Sequence, residues 1–164
     1  STNKALGIDP TLHPDLSDIK GKMLITIPRL GFTDLPVQLN VTSYDEKQYM
    51  PILENNLAHF QGTSLPGYSG NTFIYGHSTN EIWAFAQKSV KVAFTYLDKV
   101  EIGDEIIIKY EGKTYKYVLQ KTSIVTPDNI SPLYTTSNKA TLTLMTCWPP
   151  GIGADRLILS ATQV

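Results

Sequence analysis

Thr141-Leu142-Thr143-Leu144-Met145-Thr146-Cys147 alternates in a way that sorts its side chains onto two faces of a strand. Successive strand residues point to opposite sides, so Thr141, Thr143, Met145 and Cys147 share one face. Leu142, Leu144 and Thr146 share the other. The leucines are expected to fill a core, which leaves the thiol at the strand end fronting a groove. Trp148-Pro149-Pro150-Gly151 follows as a stiff loop placed to shape the approach to that thiol. Then Arg156-Leu157-Ile158-Leu159 opens another apolar run, in which Leu157 and Leu159 should face inward and Arg156 and Ile158 outward. If the two runs pair as a hairpin, Arg156 begins about where Cys147 ends.

The chemistry of that pairing is specific. Cys147 is the only cysteine in the chain, and Arg156 is one of only two arginines. A free thiol with a pKa near 8.5 is only ~3% thiolate at neutral pH, so an efficient nucleophile needs a base. Far upstream, Tyr75-Gly76-His77-Ser78 ends another apolar run and offers an imidazole. His77 can take the thiol proton, or stabilise the thiolate as imidazolium, and later protonate a leaving amine. A guanidinium is a permanently charged donor for the oxyanion formed when a peptide carbonyl is attacked. Each residue alone has a plainer reading: a buried small hydrophobe, a satisfied strand-end imidazole, a surface cation. Together they favour catalysis.

Outward from this strand the chain is β-rich. Met23–Ile27 and Leu35–Leu39 read as strands separated by a turn at Gly31. Asp45 to Leu57 has Tyr49, Ile52, Leu53 and Leu57 at helical spacing, with Ser43 or Asp45 as cap and Pro51 limiting the start of the helix or kinking it. Gly62, Pro66, Gly67 and Gly70 mark loops before the strand ending at His77. Glu81–Ala86 reads as one or two helical turns. Asp104–Tyr110 and Thr114–Gln120 flank Glu111-Gly112-Lys113 as a hairpin, and a loop through Pro127, Asn129 and Pro132 leads to the cysteine strand. Seven or eight short strands with brief helices and no repeats predict an all-β fold, a closed or nearly closed barrel. Residues 1–21, with Pro10, Pro14 and several aspartates, read as a tail or arm, and 22–164 as one domain.

These segments resemble the sortases, the cysteine transpeptidases of Gram-positive cell surfaces. Thr143-Leu144-Met145-Thr146-Cys147 matches the family's TLxTC motif, Asn71–His77 the segment that carries its histidine, and Arg156–Leu159 its arginine strand. Ile27–Gly31, His59–Gly67 and Leu97–Asp104 are weaker similarities that fall in the right order. The resemblance implies an eight-stranded barrel with one or two short helices, with His77, Cys147 and Arg156 catalytic. It implies attack on the Thr–Gly bond of an LPxTG-like sorting signal, a thioester, and transfer to an amine: a cell-wall precursor or a pilin lysine. Met145 and Ile158, sharing the thiol's face, and Thr146 and Trp148, flanking it, are the candidate substrate-binding residues. The family also implies a hydrophobic N-terminal anchor in the complete gene product, with the catalytic domain on the extracellular face of the cell membrane. Trp148–Gly151 departs from the Thr-Pro-Tyr-Gly pattern of pilin-polymerising members, which points toward anchoring rather than pilus assembly. Asp9-Pro10 is only faintly like the lid that some members carry over the active site.

Composition narrows the alternatives. A formal charge of −1 with scattered lysines gives no basic stripe, so no nucleic-acid partner is expected. One cysteine rules out an internal disulfide and a cysteine-rich zinc site. Glu101, Asp104 and Glu105 lack the Asp-x-Asp-x-Asp spacing of a calcium loop and read as a solvated rim, so neither metal nor cofactor is expected. His59 reads as structural or groove-lining. A hydrolytic cysteine peptidase and a non-catalytic peptide-binding barrel remain as alternatives.

Overall fold

The computed structural model describes residues 21–41, 46–79, 90–134 and 138–164. The tail read for 1–21 (Gly21 apart), the helix expected at Glu81–Ala86 and the caps Ser43 and Asp45 lie outside them. Eight strands close into a barrel in the order β1-β2-β3-β4-β7-β8-β6-β5, which is the architecture the strand count and the family resemblance predict.

β1 (Met23–Ile27) alternates cleanly, with Met23, Ile25 and Ile27 buried. Pro28 opens a single 3-10 turn that Gly31 closes at φ 73°, a conformation costly for a residue with a Cβ, and the chain reverses into β2 (Phe32–Val41). Helix α1 (Glu46–Leu53) carries Pro51 inside it, where one amide hydrogen bond to the preceding turn is missing, and closes with the Asn56 amide on the Ile52 carbonyl at 2.9 Å. The helix expected to reach Leu57 is therefore shorter, and Leu57–Phe60 forms β3, parallel to β2 and antiparallel to β4 (Gly70–Gly76). Before β5, Val90–Ala93 forms a short helix, α2, and Phe94–Lys99 a 3-10 turn. Together they deliver Val92, Ala93, Phe94 and Leu97 to the core. β5 (Glu105–Tyr110) and β6 (Lys113–Val125) are joined through Glu111 and Gly112, both at positive φ, the hand that matches strand twist in a two-residue hairpin.

β7 (Ala140–Trp148) and β8 (Asp155–Gln163) complete the barrel. Leu142, Leu144, Leu157 and Leu159 are buried inside it, as strand parity predicts. Truncating one such leucine to alanine typically costs about 2–5 kcal/mol. A second, smaller cluster of Val41, Leu53, Ala58, Phe73 and Tyr75 lies apart from this core, with Met145, Tyr49 and Leu133 packed against it. β4 is consequently buried along almost its whole length, on both faces. Among the described residues no helix is long and apolar enough to cross a membrane.

Candidate active site

The site grows out of one seam. β4 runs parallel to β7, with Phe73 beside Thr143, Tyr75 beside Met145 and Gly76 beside Thr146. His77 follows Gly76 directly, and Cys147 follows Thr146, so both come just after the last paired row. On the other side β7 and β8 are antiparallel, pairing Met145 with Ile158 and Cys147 with Arg156. Cys147 and Arg156 thus share one row, and His77 stands just beyond the paired end of β4. Tyr75, Met145 and Ile158 form the row two residues back along β7, on the same face.

Close packing fixes where β4 ends. A Cβ built on Gly76 would meet Leu57 Cδ2 at 2.5 Å and Phe94 Cδ2 at 2.7 Å, closer than real side chains tolerate. Only glycine lets the strand lie this tightly on the core just before the imidazole. His77, Cys147 and Arg156 are all half-buried, so the thiol is not sealed inside the barrel. The Arg156 Nη1 donates to the main-chain carbonyls of Gly153 at 3.1 Å and Asp155 at 2.9 Å. Those bonds anchor one guanidinium nitrogen to the β7–β8 loop and leave the donors on Nη2 and Nε for a ligand.

A cleft of about 550 Å³ opens at this row. His77, Cys147 and Arg156 stand at one part of it, Phe73, Tyr75 and Met145 line it from the sheet, and Tyr49 and Leu53 of α1 and Leu133 add apolar walls. Tyr49 meets Tyr75 edge-on with ring centroids 6.2 Å apart. The Tyr75 hydroxyl is buried with no hydrogen-bond partner among the described residues, and burial pushes its pKa well up. A larger hollow of about 610 Å³ along β1 and β2 contains no nucleophile and no titratable side chain except Lys22.

Of the candidate substrate-contacting residues, Met145 is half-buried and lines the cleft. Ile158 is 3% exposed, in the row beside Met145. Thr146 faces the barrel, 2% exposed, and donates its hydroxyl to the Gly76 carbonyl at 2.9 Å, so it ties β7 to β4 instead of presenting a free donor to the cleft. Trp148 packs partly against the main core and pairs with Asp155. The walls from Tyr49, Leu53 and Leu133 escaped sequence reasoning. The signal that could have found them is Phe73-Ile74-Tyr75 of β4, apolar at three successive positions and so on both faces of the strand, which requires a cover on its outer face.

His59 is fully buried and structural. Its Nδ1 accepts the Asn40 amide at 3.0 Å, which leaves the proton on Nε2 to serve the Ser64 carbonyl at 3.0 Å. Burial lowers its pKa, and the Asn40 donor leaves no room for a second ring proton. Glu101 and Asp104 lie on a solvated rim as read, and Arg29 binds both there.

The family model described as Sortase domain matches residues 25–164. Sortase A of Streptococcus agalactiae serotype III (strain NEM316) is 30% identical over 129 residues, covering 68% of this chain and 49% of that protein. The chain thus spans about half the length of this curated relative. Among solved structures, a Clostridium perfringens sortase D5 transpeptidase superposes with a TM-score of 0.71 at 28% identity, covering 91% of this chain and 84% of that one. A pilus-related sortase C of Group B Streptococcus gives 0.71 at 28%, covering 91% and 70%. Sortase A from Corynebacterium diphtheriae gives 0.70 at 28%, covering 90% and 62%. Likeness to three lettered classes is nearly equal, so overall shape does not select among them.

Proposed function

The chain belongs to the sortase family, and on that premise we propose that it is a cysteine transpeptidase that sorts proteins to the cell surface. The observation that supports this reading is that His77, Cys147 and Arg156 all line one cleft with apolar walls, Cys147 and Arg156 being paired across β7 and β8. Cys147 loses its proton to His77 and attacks the carbonyl carbon of a Thr–Gly bond. The oxyanion that forms is stabilised by the Arg156 donors not spent on loop carbonyls. His77 then protonates the departing glycine amine, and the C–N bond breaks to leave a thioester on Cys147. An acceptor amine attacks the thioester, yields its proton to His77, and releases the thiol with the new amide.

The substrate is an LPxTG-like sorting signal, and the apolar surface around Met145, Phe73 and Leu53 suits its aliphatic portion. The acceptor is the amine of a cell-wall precursor rather than a pilin lysine, in keeping with the Trp148–Gly151 sequence. The domain works on the extracellular face, held to the membrane by a hydrophobic segment of the complete protein.

Incubating the protein with a sorting-peptide library and several amine acceptors tests substrate, acceptor and transfer together. A peptide-length mass adduct on Cys147, removed by hydroxylamine and missing in Cys147→Ala, is expected, followed by amide product with one acceptor class. Hydrolysis with every amine offered would favour a peptidase. A thiol that resists alkylation at every pH would favour a binding barrel.

A further inference from the structure

Beyond Gly76 the β4 chain leaves the ladder: the last backbone-paired row is Gly76 with Thr146, and His77 to Thr79 continue without strand pairing. The position of the imidazole is therefore set by whatever holds this short segment. Hydroxyls pin it on both sides of His77. Before it, Thr146 Oγ1 donates to the Gly76 carbonyl at 2.9 Å. After it, Ser78 Oγ donates to the main-chain carbonyl of Cys147 at 2.8 Å. The Thr79 amide then donates to Thr95 Oγ1 at 2.9 Å, which carries the chain away toward the core.

We propose that Ser78 is a positioning residue, coupling the segment that carries His77 to the backbone of the nucleophile itself. This rests on the reading of His77 and Cys147 as base and nucleophile given above. Ser78 is 6% exposed and does not line the cleft, so it acts through its neighbours and not on the peptide. The bond joins positions 69 residues apart, and its acceptor is the carbonyl of the attacking residue. Loss of it frees the imidazole to drift relative to the sulfur. A displacement of about 1 Å at such a pair can cost on the order of a hundredfold in rate. Because the hydroxyl is buried, water cannot readily replace it.

The test uses Ser78→Ala, Ser78→Thr and Ser78→Val in the full chain, with a sorting peptide that acylates the wild type. Ser78→Ala is expected to lower kcat roughly tenfold while KM stays within about twofold, and to shift the pH profile of Cys147 alkylation by iodoacetamide. Ser78→Thr restores most of the lost rate; Ser78→Val, of the same shape without the hydroxyl, does not. Wild-type kcat and an unmoved alkylation profile in Ala and Val, with only the melting temperature lowered, would overturn the proposal. If Ser78→Ala does not fold, the Thr and Val pair decides the matter. Failure of the parent reading looks different: a wild-type thiol that no sorting peptide acylates.

Discussion

Arg29 and Arg156, the chain's two arginines, sit at barrel corners built from similar parts, a strand end and a tight loop, yet one charge is cancelled and the other is not. Arg29 Nε and Nη2 hold both carboxylate oxygens of Asp104, at 2.8 and 2.9 Å, and Nη2 also reaches Glu101 at 3.1 Å. The Glu101 amide adds a third hydrogen bond to Asp104 at 2.9 Å. The Arg29 hydrogen bond, followed by that amide, lowers the Asp104 pKa to about 2. Arg156 has only main-chain carbonyls as partners, and among the described residues no carboxylate lies within ion-pair range of it. Carbonyls orient a guanidinium without neutralising it. The Arg29 corner is a clasp between the turn after β1 and the loop before β5; the Arg156 corner leaves its charge unpaired by carboxylate among the described residues, as the proposed oxyanion role requires.

Conservative substitution of both arginines separates the corners most strongly. Arg156→Lys is expected to reduce the acylation rate by about a hundredfold or more, since an ammonium cannot bind two carbonyls and still present a planar fork. Arg29→Lys should leave that rate unchanged and lower the melting temperature. Equal rates in the two variants, read by stopped-time mass spectrometry of the Cys147 adduct, would break the comparison. Gly76→Ala comes next in size. Its Cβ must displace Leu57 and Phe94, at a cost of about 1–3 kcal/mol in stability, and it moves the residue preceding His77. A lower unfolding midpoint together with a reduced kcat is expected.

The Asp104 clasp predicts an acid-side effect of smaller size. Its folded pKa, about 2, lies below the ordinary 3.8. Its stabilisation is therefore fully present above about pH 4 and is lost as pH falls through about 2. Denaturation midpoints across that window should fall less steeply in Asp104→Asn than in wild type; identical slopes would exclude the clasp as their source. Tyr75→Phe should have the least effect on stability. It removes a buried hydroxyl that lacks a partner among the described residues, so the melting temperature is expected to hold or rise slightly.

Strand parity made the decisive part of this molecule legible. The alternation of Thr141 to Cys147 separated the leucines of the core from the thiol, and the length of the following loop set Arg156 opposite Cys147, as the β7–β8 register has it. β3 was hidden because all four of its residues are at least partly covered, so Leu57–Phe60 carries no alternation, and Leu57 falls at helical spacing from Leu53. The segment from Val90 to Lys99 was hidden too: a helix this short has no full amphipathic period to detect. The cleft walls come from α1 and from the loop before β7, and which loops cover an outer face is settled by tertiary packing that no local pattern encodes. Ser78 had no signal at all, since a serine earns its role here only from a carbonyl far along the chain.

The parallel seam between β4 and β7 joins positions 70 residues apart, as the Thr146–Gly76 hydrogen bond spans. Contacts that distant in sequence form only after a large loop has been closed, and such closures are slow steps in folding. During synthesis the imidazole emerges long before the sulfur does, and the guanidinium arrives last. A ribosome-held fragment ending ahead of β8 thus bears a base with nothing to activate, or a thiol without its cation. On the roles proposed above, the three groups can act together only once the final strand has slotted home.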